Sequence, residues 1–285
     1  MKSLIKDDLF IFSMSKLKLI EDLNRLEETL KEQIKNFFSK GDKIAVKVHM
    51  GEIKNPYYIK PSIIKRIIGV LNKIGLKPFL FDSVVLYPGE RDSVEKYYRT
   101  AEKHGFTEEE IGCPITISDK GLDIKTKDMV VHVCKELIEA DGMLVISHVK
   151  GHCCFGFGGA IKNLGMGGVT PDSKREIHAG GQAEEDDLLA QGAQAVLSSL
   201  KKVFYINFLI DIAKNCDCAN EAGPIVAEDI GVLFGTDIVA IDKASVDLVY
   251  KQKPNIFEEL HDHDPYLQIK YAKKLGIGEE KYDIS

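Results

Sequence analysis

The 285-residue chain is predicted to be an α/β protein with a mainly parallel sheet, helices on both faces and an active cleft at the carboxyl ends of the strands. Two observations predict this class. Short apolar runs alternate regularly with longer amphipathic stretches, which is the pattern of strands joined by crossover helices. Several apolar runs are followed directly by glycine or polar residues, as parallel strands are at the edge where ligands bind.

The first part of the chain already shows this alternation. A short strand is predicted at 9–12, and an amphipathic helix over 16–39, where apolar residues recur every three or four positions. The alternating run 43–48 predicts the next strand, after which Pro61 opens a helix that Gly75 ends. The first βα units of the sheet are therefore expected here.

The same alternation continues to the C-terminus. Strands are predicted at 79–81, 115–117, 129–133, 142–147, 203–210 and 230–234, and helices at 93–104, 136–140, 188–200, 239–250 and 266–275. The polar segment 179–187 is predicted to be a surface loop. No repeat or linker interrupts the pattern, so the chain is interpreted as one α/β domain over 1–285, or as two lobes that divide near 180–190.

Composition and charge exclude several classes of protein. A net charge of −6 and a pI near 5.8, without a long basic run, argue against a nucleic-acid binder. No stretch approaches the roughly 20 apolar residues of a membrane span, and the N-terminus lacks a secretion signal, so a cytoplasmic location without a membrane partner is expected. Six cysteines are too few for a disulfide scaffold and would stay reduced there. An oligomer is compatible with this composition.

One segment concentrates residues that a packed core does not need. Residues 147–168 read SHVKGHCCFGFGGAIKNLGMGG and follow the strand predicted at 142–147, so they are expected at the carboxyl edge of the sheet. Gly156, Gly158 and Gly159 match neither the dinucleotide fingerprint nor a Walker A loop. They can still open a helix whose free N–H groups hold a phosphate or a carboxylate, so a small anionic ligand is predicted.

Histidine and lysine side chains in and after this segment are the candidate chemical groups. Lys162 would carry a positive charge or a nucleophilic amine into the site, and His148 with Lys150 would contact a cofactor at the strand end. His152 and His178 are candidate metal ligands or acid–base groups, because imidazole titrates near neutrality and binds nickel, zinc, copper or iron. The sequence therefore predicts a His/Lys/His site.

Two other strand ends carry polar side chains. His49 and Glu52 follow one strand, and Asp82 ends the next, before Tyr87 and Arg91. If these strands are parallel neighbours, their carboxyl ends converge on one edge of the sheet and the side chains face a shared cleft. Tyr87 and Arg91 are expected to act in catalysis there, together with the histidine and the lysine of the glycine-rich segment.

Four cysteines are candidate soft ligands. Cys153 and Cys154 are adjacent, and adjacent residues seldom chelate one ion comfortably. Cys216 and Cys218 lie on a predicted loop that lacks the second C-x-x-C typical of zinc and cluster sites. A divalent transition metal, namely nickel, zinc or iron, is therefore predicted at the two histidines first and at these cysteines second.

The chain resembles a known family across nearly its whole length. The segments that carry the resemblance are KVHMGE at 47–52, DSVVLYPGER at 82–91, SHVKGH at 147–152, GGAIKNLGMG at 158–167 and DIVAIDKAS at 237–245. They resemble domain of unknown function 362, whose members are often labelled iron–sulfur centre proteins. Many members carry a ferredoxin-like insertion with two C-x-x-C-x-x-C runs after the histidine equivalent to His178. This chain lacks those runs, so no ferredoxin-type 4Fe–4S cluster is expected.

A second resemblance bears on the chemistry. The order His152, then Lys162 in a Gly-Gly-Ala-x-Lys turn, then His178 is similar to the catalytic domain of the nickel-pincer lactate racemase family. The resemblance implies an acid–base role for the first histidine, a lysine-tethered pincer nucleotide, and nickel ligation by the second histidine. The segment 86–91 falls where the racemases have their other acid–base histidine, and it contains none. Tyr87 would have to replace it, so racemisation of lactate itself is not implied.

Three functions are compatible with these observations. The first is an enzyme or enzyme-like protein, of isomerase or racemase type, that uses a metal or metal–organic cofactor on a small anionic substrate. The second is a non-catalytic metal-binding or redox-accessory protein, whose two cysteine pairs would have to meet within one coordination sphere at a histidine. The third is a phosphate- or nucleotide-binding module that uses only the glycines and Lys162.

Overall fold

The computed structural model describes residues 14–285, apart from the side chains of residues 182 and 183. The strands in this part of the chain are β1 (Ser15–Ile20), β2 (Lys43–Lys47), β3 (Lys77–Ser83), β4 (Ile115–Ser118), β5 (Gly121–Lys125), β6 (Val130–Cys134), β7 (Gly142–His148), β8 (Lys150–His152), β9 (Gly156–Gly158), β10 (Val203–Leu209), β11 (Gly231–Gly235) and β12 (Tyr282–Ile284). The helices are α1 (Leu26–Ile34), α2 (Pro61–Lys73), α3 (Val94–Lys103), α4 (Glu108–Ile111), α5 (Lys135–Ile138), α6 (Ala160–Gly167), α7 (Pro171–Ala179), α8 (Gln182–Ser198), α9 (Ile238–Gln252), α10 (Ile256–His261) and α11 (Leu267–Lys274).

Eight of the described strands form a central sheet in the order β12-β1-β11-β10-β7-β2-β3-β4. The neighbours from β10 to β4 are all parallel, and β11 is antiparallel to both β10 and β1. Two small antiparallel pairs, β5 with β6 and β8 with β9, lie outside this sheet. The prediction of an α/β protein with a mainly parallel sheet is therefore confirmed.

Helices cover both faces of the sheet because its inner strands are apolar on both sides. In β2, Ala45 belongs to the core that includes residues of α6, α8 and α9, whereas Ile44 and Val46 belong to the core that includes residues of α1 and α2. A strand that is buried on both faces reads as a continuous apolar run, as expected between two helical layers. None of the described helices combines the length and the apolar character that crossing a membrane requires.

The direction in which the chain leaves the strands changes between β2 and β7. From β2 the chain passes through α2 to β3 on one side, and from β7 it passes through α6, α7 and α8 to β10 on the other side. The crevice between the carboxyl ends of β2 and β7 is therefore the point where the strand order reverses. In open α/β sheets, ligands bind in such a crevice.

The helix predicted over 16–39 is partly wrong. Its first residues form β1, and the α-helix covers only Leu26–Ile34, after a 3-10 turn at Leu23–Arg25. β1 inserts between β11 and β12, so pairing with strands from the other end of the chain outweighs the local helical spacing. The strand predicted at 9–12 lies outside the described residues.

The loop predicted over 179–187 is also wrong, because α7 ends and α8 begins within it, separated by Gly180 and Gly181. Pro171 at the first position of α7 and two glutamates in the first turn of α8 favour these helix starts. The short elements β5, β8, β9, β12 and α10 were not predicted, since three to six residues carry too little periodicity. The division into one domain or two lobes stays a prediction.

Candidate functional site

A cavity of about 380 Å³ lies at the carboxyl ends of β2 and β3, beside the β8–β9 pair. Polar, charged and sulfur-bearing side chains make up much of its wall. The predicted site residues that line it are Tyr87, Arg91, His152, Cys153, Cys154, Lys162, His178 and Cys218. The structure therefore brings together side chains from four separate parts of the sequence.

Cysteine and histidine side chains in this region form three overlapping groups. In each group the ligand atoms all lie within 4.8 Å of one another, and the groups are His152–Cys216–Cys218, His152–Cys153–Cys154 and Cys154–His178–Glu185. Both cysteine pairs therefore lie within reach of one histidine. Among the described residues, no such group holds both His152 and His178. The ring centroid of Phe155 lies 5.2 Å from that of His152 and 5.6 Å from that of His178. The two histidines thus belong to different candidate sites.

The group of His152, Cys216 and Cys218 matches the spacing of ligands around one ion. His152 Nε2 is 3.8 Å from Cys218 Sγ, and both His152 and Cys216 are 4% exposed. A tetrahedral zinc ion, with bonds of about 2.3 Å to sulfur and 2.0–2.1 Å to nitrogen, holds its sulfur and nitrogen ligands about 3.6 Å apart. The separation of these two ligand atoms is therefore close to the one that a zinc ion requires.

His152 is held in a neutral state, as a metal ligand must be. Burial lowers its pKa well below the ordinary value, and the charges of Lys162 and Lys150 lower it further. Its Nδ1 accepts the N–H of Cys154 at 3.2 Å, so the ring proton lies on Nε2. An ion bound at Nε2 would move this proton to Nδ1, and the Cys154 N–H would then have to turn away.

Cys216 is the thiol best prepared to act as a thiolate. A hydrogen bond from Cys218 lowers its pKa well below the ordinary value against the opposing effect of burial, and Lys162 and Lys150 lower it further. Lys162 Nζ lies 3.8 Å from Cys216 Sγ. Burial would lower the pKa of Lys162, but the neighbouring sulfur groups of Cys216 and Cys218 outweigh burial and raise this pKa. The lysine is therefore an ammonium ion beside the thiolate.

His148 and Lys150, predicted to contact a cofactor, are not part of the described cavity wall. Both are buried and bind the carboxylate of Asp217, His148 through Nδ1 at 2.7 Å and Lys150 through Nζ at 3.2 Å. Asp217 lies between Cys216 and Cys218 in the sequence. These two side chains therefore contact the cysteine loop rather than the cavity.

The glycines predicted to hold an anion have a different environment. The first N–H groups of α6, those of Ala160 and Ile161, donate to the buried carboxylate of Asp242 at 2.7 and 2.8 Å. A Cβ atom at Gly159 would lie 2.4 Å from Asp242 Oδ1, so this glycine permits the approach of the carboxylate. The protein's own Asp242 thus takes the two donors that were expected to bind an anionic ligand at this helix N-terminus.

Arg91 lies at the centre of a hydrogen-bonded cluster in the cavity wall. Its guanidinium donates to Glu52 Oε2 at 3.0 Å, to His49 Nε2 at 2.9 Å and to the Tyr87 hydroxyl at 2.7 Å. Tyr87 in turn donates to the carbonyl of Cys218 at 2.9 Å. Burial raises the pKa of Tyr87, so this hydroxyl stays protonated at neutral pH. Burial and the charge of Arg91 hold the pKa of His49 well below its ordinary value.

Two lysines of the cavity wall, Lys47 and Lys174, were not predicted from the sequence. Lys47 pairs with Asp82 at 3.0 Å and donates to Asn163 Oδ1 at 2.6 Å, although it is only 1% exposed. Lys174 donates to Ser83 Oγ at 2.8 Å, and burial lowers its pKa to about 8. A lysine that ends the otherwise apolar strand β2 was the one available signal for Lys47. Lys174 lies in a stretch that was not assigned to a helix.

Comparisons with known proteins agree with this fold. A family model described as "Domain of unknown function (DUF362)" matches residues 44–247, and a search of curated proteins found no match. A Thermotoga maritima protein, whose crystal structure was solved by the Northeast Structural Genomics Consortium, is similar with a TM-score of 0.50 and 10% identity. That similarity covers 88% of this chain and 59% of the Thermotoga chain, so this chain spans less than two thirds of that protein.

The structure of the lactate racemase apoprotein from Thermoanaerobacterium thermosaccharolyticum gives a TM-score of 0.44 at 14% identity, over 70% of this chain and 51% of the racemase. At such identities the similarity to the Thermotoga protein shows the fold alone. The matched family model covers most of the chain and agrees with the motifs quoted above. The chain therefore belongs to the family described as domain of unknown function (DUF362).

Proposed function

We propose that the protein is a metal-dependent enzyme that acts on a small anionic substrate, with its ion held by His152, Cys216 and Cys218. The observation that carries this proposal is the convergence of three ligand atoms within 4.8 Å beside a cavity whose wall includes four cationic side chains. The cationic residues in the described part of the wall are Lys47, Arg91, Lys162 and Lys174. Asp82 contributes a carboxylate to the same wall. A cytoplasmic, reducing setting belongs to the proposal, because the thiols must stay reduced.

Cys216 and Cys218 suit the ion better than Cys153 and Cys154 do. Cys153 is exposed, whereas Cys216 is buried and stabilised as a thiolate by a hydrogen bond from Cys218 and by the charges of nearby lysines. The backbone of the Cys216 loop is also held by hydrogen bonds from two other segments, as described below. A buried ligand loop of fixed shape loses less conformational freedom when an ion binds.

His152, Cys216 and Cys218 would leave one position of a tetrahedral ion open, and an ion held there would supply Lewis-acid chemistry. The chain's own residues supply the remaining functions. Lys162, beside Cys216, offers its ammonium group to the anionic part of a substrate. Arg91, fixed by three partners, presents a rigid cationic surface in the same wall.

Metal loading of purified protein tests this proposal. Protein prepared under reducing conditions should bind one zinc or cobalt(II) ion per chain, and the Co(II) form should show thiolate-to-metal absorption. Cys216→Ser, Cys218→Ser and His152→Ala should each lose the ion, whereas Cys113→Ser should keep it, because Cys113 lies at another pocket. Equal binding by all four variants would overturn the assignment of the ligands.

The enzymatic part of the proposal has its own test. If the ion borders the cavity, inorganic phosphate or acetate added to the Co(II) form should change its visible spectrum, because the open position accepts an oxygen ligand. Lys162→Met should weaken this change, with Lys60→Met, a half-buried lysine outside the cavity wall, as the control. An unchanged spectrum at saturating anion would instead favour a non-catalytic metal-binding protein, which the position of both cysteine pairs beside His152 also fits.

A lysine-tethered pincer nucleotide is a second candidate cofactor. Lys162 and His178 line the same cavity as His152, in the spacing that resembles the nickel-pincer racemases. Intact mass spectrometry of protein from its native host decides: an added mass on the Lys162 peptide supports the tether, and an unmodified mass rules it out.

A further inference from the structure

We infer that Asp217 is a positioning residue that fixes the two cysteine ligands beside His152. The inference rests on the proposed metal centre, since it concerns the residue that places the ligands of that centre. Asp217 separates Cys216 from Cys218 in the sequence, but its side chain turns away from both thiols and into the protein. We therefore assign it a role in the geometry of the ligand loop and none in contacting substrate.

Both oxygens of the Asp217 carboxylate have a cationic or hydrogen-bonding partner. Oδ1 contacts His148 Nδ1 at 2.7 Å and Oδ2 accepts from Lys150 Nζ at 3.2 Å, with Asp217 only 1% exposed. The other ring nitrogen of His148 donates to the carbonyl of Ile210 at 2.9 Å. Burial alone would raise the pKa of Asp217, but Lys150 and His148 outweigh burial and lower it, so the carboxylate stays charged.

The ion pair and the ligand contact lie side by side on the same strand. Lys150 and His152 are two residues apart in β8, so their side chains point to the same face of that strand. Opposite them, Asp217 meets Lys150, and the next residue, Cys218, meets His152. Docking Asp217 on Lys150 therefore sets the position at which the thiol meets the imidazole.

The backbone of the ligand loop is held from its other side. Asn55 Nδ2 donates to the carbonyl of residue 216 at 3.2 Å and to the carbonyl of residue 219 at 2.8 Å. The Glu52 N–H donates to the carbonyl of residue 217 at 2.8 Å, and the Tyr87 hydroxyl donates to the carbonyl of residue 218. Every carbonyl from 216 to 219 is thus hydrogen-bonded to a residue outside the loop. Asp217 adds the charged contact that pulls the loop toward β8 and His152.

Cobalt(II) binding compares the role of Asp217 with that of a matched carboxylate. Asp217→Asn keeps the size of the side chain and removes its charge, and it should weaken Co(II) binding about 10–100-fold, as loss of an outer-shell partner does. It should also shift the thiolate-to-cobalt absorption, which a general loss of stability would not do. Asp229→Asn is the control, since Asp229 is an exposed carboxylate in the same connection that accepts from the Asp211 N–H. It should leave both measurements unchanged.

Alkylation of Cys216 tests the same inference without any metal. In metal-free protein, Asp217→Asn should raise the rate at which iodoacetamide modifies the Cys216 peptide by about tenfold or more, which corresponds to about 1.4 kcal/mol of lost loop docking. Lys150→Met should act in the same direction, and Lys150→Arg should restore most of the protection. Circular dichroism at the assay temperature confirms that each variant is folded before it is compared.

The two assays separate the inference from the proposed function. If the unchanged protein binds no cobalt, the proposed metal centre fails, and the alkylation rates alone decide whether Asp217 positions the loop. If Asp217→Asn binds cobalt and reacts at Cys216 as the unchanged protein does, the inference is overturned while the metal centre stands. Faster alkylation of Cys216 in metal-free Asp217→Asn, together with weaker cobalt binding by that variant, supports both.

Discussion

At the scale of single residues, the candidate site depends on buried charges that have specific partners. Lys47 with Asp82 and Arg91 with Glu52 are ion pairs in which each side chain is at most 4% exposed. Removing one partner of such a pair leaves an uncompensated buried charge, which typically costs about 3–5 kcal/mol. The polar residues at strand ends could be recognised from the sequence, but their pairing could not, because it depends on strands that are distant in the chain.

Asp242 gives a pH-dependent prediction at this scale. Burial raises its pKa to about 6 from the ordinary 3.8, so between these values the folded protein binds a proton that the unfolded chain has lost. The free energy of unfolding should therefore fall as the pH rises from about 4 to about 6, by on the order of 3 kcal/mol from this group, and then level off.

Urea denaturation of the unchanged protein and of Asp242→Asn across pH 4–7.5 measures this effect as a difference. Over that interval the unchanged protein should lose stability relative to Asp242→Asn, because the variant has no carboxyl group to titrate. The variant also loses one acceptor for the α6 N–H groups, which sets a pH-independent offset of about 1–3 kcal/mol. A constant difference at all pH values would contradict the raised pKa.

Tyr87 gives a second prediction at the residue scale. Its hydroxyl joins Arg91 to the carbonyl of Cys218, so Tyr87→Phe should leave that carbonyl without its donor while keeping the ring. Cobalt(II) affinity should fall severalfold, less than for Asp217→Asn, because three neighbouring carbonyls keep their hydrogen bonds. Isothermal titration measures this, with Tyr98→Phe as the control, because the Tyr98 hydroxyl lies outside the cavity wall and donates to the carbonyl of Ile115. An unchanged affinity would contradict a role of Tyr87 in holding the ligand loop.

At the scale of elements, α6 is the helix that closes the site, and its glycines are what allow it to do so. A Cβ atom at Gly167 would lie 2.0 Å from Lys47 Cε, and one at Gly165 would lie 2.5 Å from the carbonyl of Leu189. The sequence analysis assigned the glycines of this region to anion binding. Their close approach to Lys47, Leu189 and Asp242 instead shows tight packing of the helix against its neighbours.

Two glycine substitutions in helices should therefore have opposite effects. Gly167→Ala should lower the free energy of unfolding by about 1–3 kcal/mol, since the new methyl group displaces Lys47 from Asp82. Gly69→Ala, in α2 with nothing within 4 Å of its Cβ position, should raise it by about 0.5–1 kcal/mol. Thermal or urea denaturation of both variants checks the pair. A stabilising Gly167→Ala would contradict the packing described for α6.

Element prediction from the sequence succeeded where a strand or helix has a long and regular pattern. β2, β7, β10, α2 and α9 were predicted close to their observed positions. β1 was mistaken for the start of a helix, because Leu19 continues the three-to-four spacing of the apolar residues that follow it, whereas pairing with β11 and β12 makes this segment a strand. The convergence of Cys216 and Cys218 on His152 could not be read from the sequence, since β8 and β9, which place His152, are three residues each.

At the scale of the whole molecule, the reversal of strand order between β2 and β7 explains why distant residues share one cavity. Loops after β2, β3, β7 and β10 all open at the same edge of the sheet, and each contributes to the wall or to the ligand groups. This convergence was expected from the alternation of strands and helices alone. Which cysteines take part was not, because it depends on the fold of the loop that follows β10.

The proposed ion should also stabilise the whole fold. Its ligands come from β8 and from the connection after β10, so an ion that binds only the folded state links two distant segments of the chain. At a free zinc concentration of 100 times the Kd, the free energy of unfolding should rise by about 2.7 kcal/mol, and a chelator should reverse the gain. Cys216→Ser should show no gain, and an equal gain in that variant would place the ion elsewhere.

The most direct test of the metal centre is X-ray absorption spectroscopy of zinc-loaded protein at the zinc edge. We expect two sulfur neighbours at about 2.3 Å and at least one nitrogen neighbour at about 2.0–2.1 Å, with both sulfur neighbours kept in Cys153→Ser and the zinc lost in Cys218→Ser. A first shell of nitrogen and oxygen alone, or a sulfur shell unchanged by Cys218→Ser, would contradict the proposed centre.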